Sequence, residues 1–275
     1  MQFALPQQAP VGAASIAVRS ASAAYLLAGV LVACATAPPP EPFEELASAE
    51  DLYQKGQAEL ANEGLMDFIM PSDHAEAIET FQDIIDNYPY SDQAVLAELS
   101  IADAYFDAEK YTEAISYYDE FVDLHPEHDQ VPYAMFRAAR CYYERSRDAG
   151  RDQTDTYDGI QQLERLMQRF PHSPYAAEAE VVWRELRTRL GRHNMQVGDY
   201  YFDQKEYPSA AERYRALLAQ YPGLGLDAEA LLRLGMCYTR KHRAEEAEEI
   251  FQVILENYEG SEVAETAADL VPAAN

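Results

Sequence analysis

Few residues in this 275-residue chain are of a kind that does chemistry, and only one stands in a chemical context. Cysteines occur at positions 34, 141 and 237. Cys141 and Cys237 fall in the middle of helical patterns two repeats apart, a separation that argues against a disulfide and for buried thiols acting as small hydrophobes. Cys34 is different. It follows an apolar run, Ala23 to Val32, and residues 1–33 carry one charge, Arg19. A basic residue, a short apolar stretch and a small-residue cleavage site make a secretory signal, and the run is too short to span a bilayer permanently. Of the six histidines, only His125 and His128 are neighbours, and Pro126 between them breaks the helix that a metal-ligand pair would need. No G-x-S-x-G, P-loop, HExxH or Gly-rich nucleotide loop is present. Acid pairs are abundant, but with 48 Asp and Glu they are expected everywhere and carry no catalytic weight. The sequence therefore predicts no catalytic residue, no metal and no cofactor beyond whatever modifies Cys34.

The tetrapeptide Leu31-Val32-Ala33-Cys34 resembles the bacterial lipobox. The resemblance implies cleavage before Cys34, a thioether-linked diacylglycerol and an N-acyl chain on that cysteine, and firm anchoring, since several chains hold where one would not. Ala35, in place of Asp, implies outer-membrane rather than inner-membrane retention. Residues 34–47 then read as the lipidated cysteine with a proline-rich tether, ATAPPPEPFEELA, which has little to pack and extends at about 3.1 Å per residue. The net charge of −27 opposes nucleic-acid binding, which needs a basic face.

A repeat must position everything downstream. An alanine or glycine, a large side chain four residues on and a stop twelve residues on recur at Ala77/Phe81/Pro89, Ala114/Tyr118/Pro126, Gly159/Leu163/Pro171, Ala210/Tyr214/Pro222 and Ala247/Phe251/Glu259. Upstream lies a second mark, a small residue with an aromatic three later: Ala102/Tyr105, Ala139/Tyr142, Gly198/Tyr201 and Gly235/Tyr238. A small residue lets two helices approach, the aromatic fills the gap, and proline ends the second helix. The unit is helix, turn, helix, stop, and its period of about 34 residues resembles the tetratricopeptide repeat. The expected fold is all-α: a tetratricopeptide-repeat solenoid of five helix-turn-helix repeats, because one hairpin cannot bury its apolar face alone. Expected helices are Glu50–Asn62 and Asp73–Asn87, Ser91–Asp107 and Tyr111–Leu124, Val131–Ser146 and Asp155–Phe170, an overlong Ser173–Gln204 with Ser209–Gln220, and Asp227–Arg240 with Ala244–Tyr258. A capping helix follows Ser261. Glu63 to Ser72 reads as an apolar linker lying across the first hairpin, and Gly191 as a kink in the long helix. The domains are 1–33 signal, 34–47 tether, 48–171 repeats one to three, and 172–275 repeats four and five with the cap.

In a tetratricopeptide array, the inner faces of the first helices of successive repeats line a groove. Counting from the small residue, that face offers Tyr53 in repeat one, Leu99, Asp103 and Phe106 in repeat two, and Tyr133, Phe136, Arg140 and Tyr143 in repeat three. Aromatics flanked by charges suit an extended peptide that itself carries aromatic residues. Several stretches resemble the BamD (ComL-like) family of outer-membrane assembly lipoproteins: FVDLHPEHDQVPYAMFRAARCYYE, the loop RDAGRDQT with Arg151-Asp152, Pro171-x-Ser173-x-Tyr175-Ala176, and Tyr200-Tyr201 through Tyr207-x-x-Ala210-Ala211. The likeness covers about residues 48 to 260. It implies a non-enzymatic part of the β-barrel assembly (BAM) complex, lipid-anchored in the outer membrane and facing the periplasm. Its partners would be the periplasmic domains of a BamA-like insertase, other BAM lipoproteins and unfolded outer-membrane protein precursors. Repeats one to three would receive the precursor, and repeats four and five would dock the insertase. Arg233 and Arg240 are docking candidates on the strength of their charge in an acidic chain. The alternative is another periplasmic tetratricopeptide adaptor, such as a secretin pilotin or a cell-division coordinator.

Overall fold

The computed structural model describes residues 47–66, 74–146, 150 and 152–271. The signal, most of the tether with Cys34, the greater part of the expected linker and Arg151 lie outside the described residues. Contacts divide the chain after Leu46, and all described residues belong to the second part. Among them the chain forms eleven helices: α1 (Ala49–Met66), α2 (Ala75–Asn87), α3 (Asp92–Asp107), α4 (Tyr111–Leu124), α5 (Val131–Arg145), α6 (Thr154–Arg169), α7 (Pro174–Asp203), α8 (Tyr207–Gln220), α9 (Asp227–Arg240), α10 (Ala244–Asn257) and α11 (Glu262–Leu270). Each packs on the next, and first helices also touch across repeats, α1 on α3, α5 on α7, and α9 on the cap α11. This nearest-neighbour pattern is the all-α tetratricopeptide solenoid.

The small and large marks meet within each hairpin. A Cβ built on Gly56 would lie 2.7 Å from the Phe81 ring, and one on Gly198 or Gly235 would lie 2.5 Å from Tyr214 or Phe251. The aromatic of the second helix thus lies directly on the small residue of the first. Ala102 and Tyr118, and Ala139 and Leu163, occupy the same two slots and are fully buried. Chain stops are equally uniform. The residue after each second helix, Tyr88, His125, Phe170, Tyr221 or Tyr258, leaves helical geometry near φ −130° while its N–H still bonds the carbonyl four residues back. A following proline enforces that geometry on its predecessor, and Tyr258 adopts it with Glu259 behind it. Two residues past three of these stops, Ser91, Ser173 and Ser261 cap the next helix through Oγ.

Two expectations change. Helix α1 runs on to Met66, so the linker's first four residues, Glu63 to Met66, are helical. Helix α7 is one 30-residue element that passes through Gly191 without interruption. That glycine is buried, and a Cβ there would meet Leu226 Cδ1 at 2.8 Å. It serves a close approach, not a bend.

Candidate functional site

Phe136, Arg140 and Tyr143 are spaced four and three residues apart and so share one face of α5. Glu178, Val181, Val182 and Glu185 share the facing side of α7, and the seven side chains line an open cleft of about 400 Å³. The floor is apolar: Phe136 and Val182 are nearly buried, while Val181 is 58% exposed at the lip. Tyr175 at the start of α7 stacks on Phe136 with ring centroids 5.8 Å apart and also touches Tyr133. Charged groups fix the ends. The Arg140 guanidinium lies over the Tyr143 ring and pairs with Glu144 at 2.9 Å, while its Nε is buried without a partner. Arg189 of α7 crosses Tyr143 and donates to the Ser146 carbonyl at 2.8 Å, closing the C-terminal end of α5. A hydrogen bond with Glu185, then burial, pushes the Tyr143 phenol up. An apolar trough with an arginine at one rim and glutamates at the other is suited to gripping a short peptide segment by a large side chain and its neighbouring main chain.

The remaining groove candidates lie elsewhere. Leu99 is packed in the core beside Ala102 and Ile115, because a spacing of three from the small mark keeps it on the buried face. Tyr53 belongs to the seam between repeats one and two. Its ring is 5.7 Å from Phe81, its hydroxyl is 3.4 Å from Ser100 Oγ, and Gln57 donates to both hydroxyls. Asp103, Phe106 and Tyr133 are gathered by a residue the face count missed, Arg137. Its Nε lies 3.2 Å from Asp103, its Nη2 3.5 Å from Asp107, and its guanidinium 3.8 Å above the Phe106 ring. Asp103 also accepts from Tyr118 at 2.5 Å and Tyr133 at 2.7 Å. Burial and the adjacent carboxylate push both phenols far above their usual range. The Arg137 charge is opposed by burial and held by Tyr118 and Asp103.

The same knot recurs thirty-four positions apart in chain logic. Tyr214 donates to Asp199 at 2.7 Å, and Arg233 lies 3.7 Å from Asp199 and 3.0 Å from Glu229. Each knot joins two repeats through an acid following the small mark, a tyrosine fifteen on and an arginine thirty-four on. Arg233 is therefore engaged within the solenoid, whereas Arg240 is exposed at the end of α9. The pairing was present in the sequence as that double spacing. Cys141 and Cys237 are buried free thiols, with burial pushing them up to about 12 and about 11, so both stay protonated. His125 Nε2 lies 2.7 Å from Glu98. No described helix is long and apolar enough to cross a membrane.

Fold and cleft together define a tetratricopeptide-repeat solenoid with a peptide-sized trough on its third and fourth first-helices. Residues 46–253 match the family YfiO, described as outer membrane lipoprotein, and the chain belongs to that family. It is 28% identical over 239 residues to the outer membrane protein assembly factor BamD of Caulobacter vibrioides, covering 86% of this chain and 75% of that one. It is also 28% identical to the protein of the same name from Rickettsia prowazekii, over 74% of this chain and 81% of that one. A shorter stretch of 90 residues is 33% identical to the Xylella fastidiosa assembly factor BamD and spans 31% of its length.

Proposed function

We propose that the protein is a non-catalytic scaffold of outer-membrane β-barrel assembly, tethered by acyl chains on Cys34 and facing the periplasm. Membership of an outer membrane lipoprotein family and likeness to proteins named as outer membrane assembly factors support the setting. The observation that carries the binding role is the trough between α5 and α7, where three aromatic or charged residues of one helix face an exposed valine. Its client is an unfolded barrel precursor offering an aromatic-containing segment. Repeats four and five dock the periplasmic domains of a BamA-like insertase, with Arg240 rather than the engaged Arg233 presented outward, and other BAM lipoproteins complete the assembly.

Replacing Phe136 and Tyr143 together by alanine removes the floor and one end of the trough. Affinity for a fluorescent barrel-derived C-terminal peptide then falls at least about tenfold, the loss expected for two partly buried aromatic anchors. Unchanged affinity in a folded double variant rejects the trough as the client site. The anchor is tested separately. Cys34→Ser should move the protein from the membrane fraction to the soluble fraction in cells lacking its partners, and retention there counts against lipidation.

A further inference from the structure

Helix α5 floors a second cleft with its next residue. Met135 lies at the base of an opening of about 580 Å³ whose walls are the second helices of repeats two and three. Asp119 and Asp123 stand on α4, and Gln162, Arg165 and Arg169 stand on α6. Gln162 is 4% exposed, and its Nε2 donates to Asp119 Oδ1 at 3.3 Å. That bond fixes the amide and turns Oε1 inward, where it is buried with no hydrogen-bond partner. A buried acceptor left empty costs about as much as a lost hydrogen bond and calls for a donor. Arg169 is held rigid, donating to the Pro126 carbonyl at 2.8 Å and lying over Phe170. Burial pushes the Asp119 carboxyl up, with Arg165 opposing that shift and Asp123 adding to it.

We propose that this cleft is a docking site for a basic side chain, lysine or arginine, presented by a partner protein. The incoming cation donates to Gln162 Oε1 and pairs with Asp119 and Asp123. Its aliphatic stem lies on Met135 and Val122, and an acidic neighbour in the partner's sequence meets Arg165 and Arg169. Charge complementarity selects this occupant: an unmet acceptor and two carboxylates on one side, two guanidinium groups on the other. The site does not depend on the client reading of the α5–α7 trough, whose lining residues are different.

The test uses the full lipidated chain in detergent and three fluorescent probes, Ac-Gly-Arg-Glu-Gly, Ac-Gly-Lys-Glu-Gly and Ac-Gly-Met-Gln-Gly peptides, read by anisotropy at about 0.15 M salt, where long-range attraction to the acidic surface is screened. The basic probes bind and the neutral one does not. Gln162→Leu weakens the basic probes by about tenfold, one charge-assisted hydrogen bond, while leaving thermal stability unchanged or raised because the orphan acceptor is gone. Asp119→Asn weakens them similarly, and Glu256→Gln on exposed α10 has no effect. Equal weakening by Glu256→Gln means attraction to net charge alone and overturns the site. So does unaltered binding in Gln162→Leu, or displacement of no probe while spermidine binds at Asp119, which would make the ligand a free polyamine.

Discussion

Gly235→Val should unfold the C-terminal end of the solenoid while leaving the middle intact. A single Cβ at Gly235 would stand 2.5 Å from Phe251 Cε1 and 2.9 Å from Cζ. Phe251 is 1% exposed and wedged among Leu232, Ile254 and Ala267, so its ring has nowhere to turn. Helix propensity alone favours replacing a mid-helix glycine by about 1 kcal/mol at most, and valine recovers only part of that. Overpacking costs more, about 3 kcal/mol, because α9 and α10 must separate. For a chain of this size that is a fall of about 6–12 °C in the unfolding transition. Repeat arrays are coupled mainly through neighbours, so the loss is local. Hydrogen exchange should show α9, α10 and α11 losing protection while α3 to α6 keep theirs. Gly235→Ala combined with Phe251→Leu should recover much of the loss, since the smaller side chain vacates the space. Uniform loss of protection along the chain, or no rescue by the double change, would refute this account of the small-to-aromatic contact.

The marks twelve residues apart located all five second-helix ends to within a residue, because a proline and the extended residue before it leave a helix no continuation. Fourteen extra residues between Pro171 and Gly198 likewise announced the long helix α7. Other features lay beyond local pattern. The role of Gly191 depends on Leu226, thirty-five positions away, and nothing around Gly191 itself reveals it. Met66 closes α1 beyond Gly64, a residue that argues for a turn when read alone. Counting faces from the small mark found Phe136, Arg140 and Tyr143, since the elongated α7 leaves a trough beside them. The same count placed Asp103, Phe106 and Tyr133 in a groove, yet the next repeat fills that space with Arg137. Periodicity says which face a residue is on; only the partner helix says whether that face is open.

Arg137→Met is the second change expected to have a large effect. Methionine keeps a stem against Phe106 and deletes the charge. Asp103 retains its tyrosine donors, but its charge is left uncompensated beside Asp107. Removing one member of a buried pair costs about 3–5 kcal/mol. Arg137 and Asp103 side chains are 22% and 29% exposed, so solvent takes up part of the loss and about 2 kcal/mol is expected. Arg233→Met, the equivalent change in the second knot, should cost less than about 1 kcal/mol, because that pair is 36% and 39% exposed and 3.7 Å apart. Urea unfolding of both variants gives the order, and a cycle with Asp103→Asn gives the coupling, expected at about 1 kcal/mol or more. Equal costs for the two arginines, or zero coupling, would mean that the knots are incidental to stability. The client trough provides a further discriminator. Arg137 faces α3 and the trough faces α7, so folded Arg137→Met should hold the barrel-derived peptide within about threefold of the unaltered chain, sites without shared partners being nearly additive. A larger drop would place Arg137 in the binding path and tie the two faces of α5 into one unit.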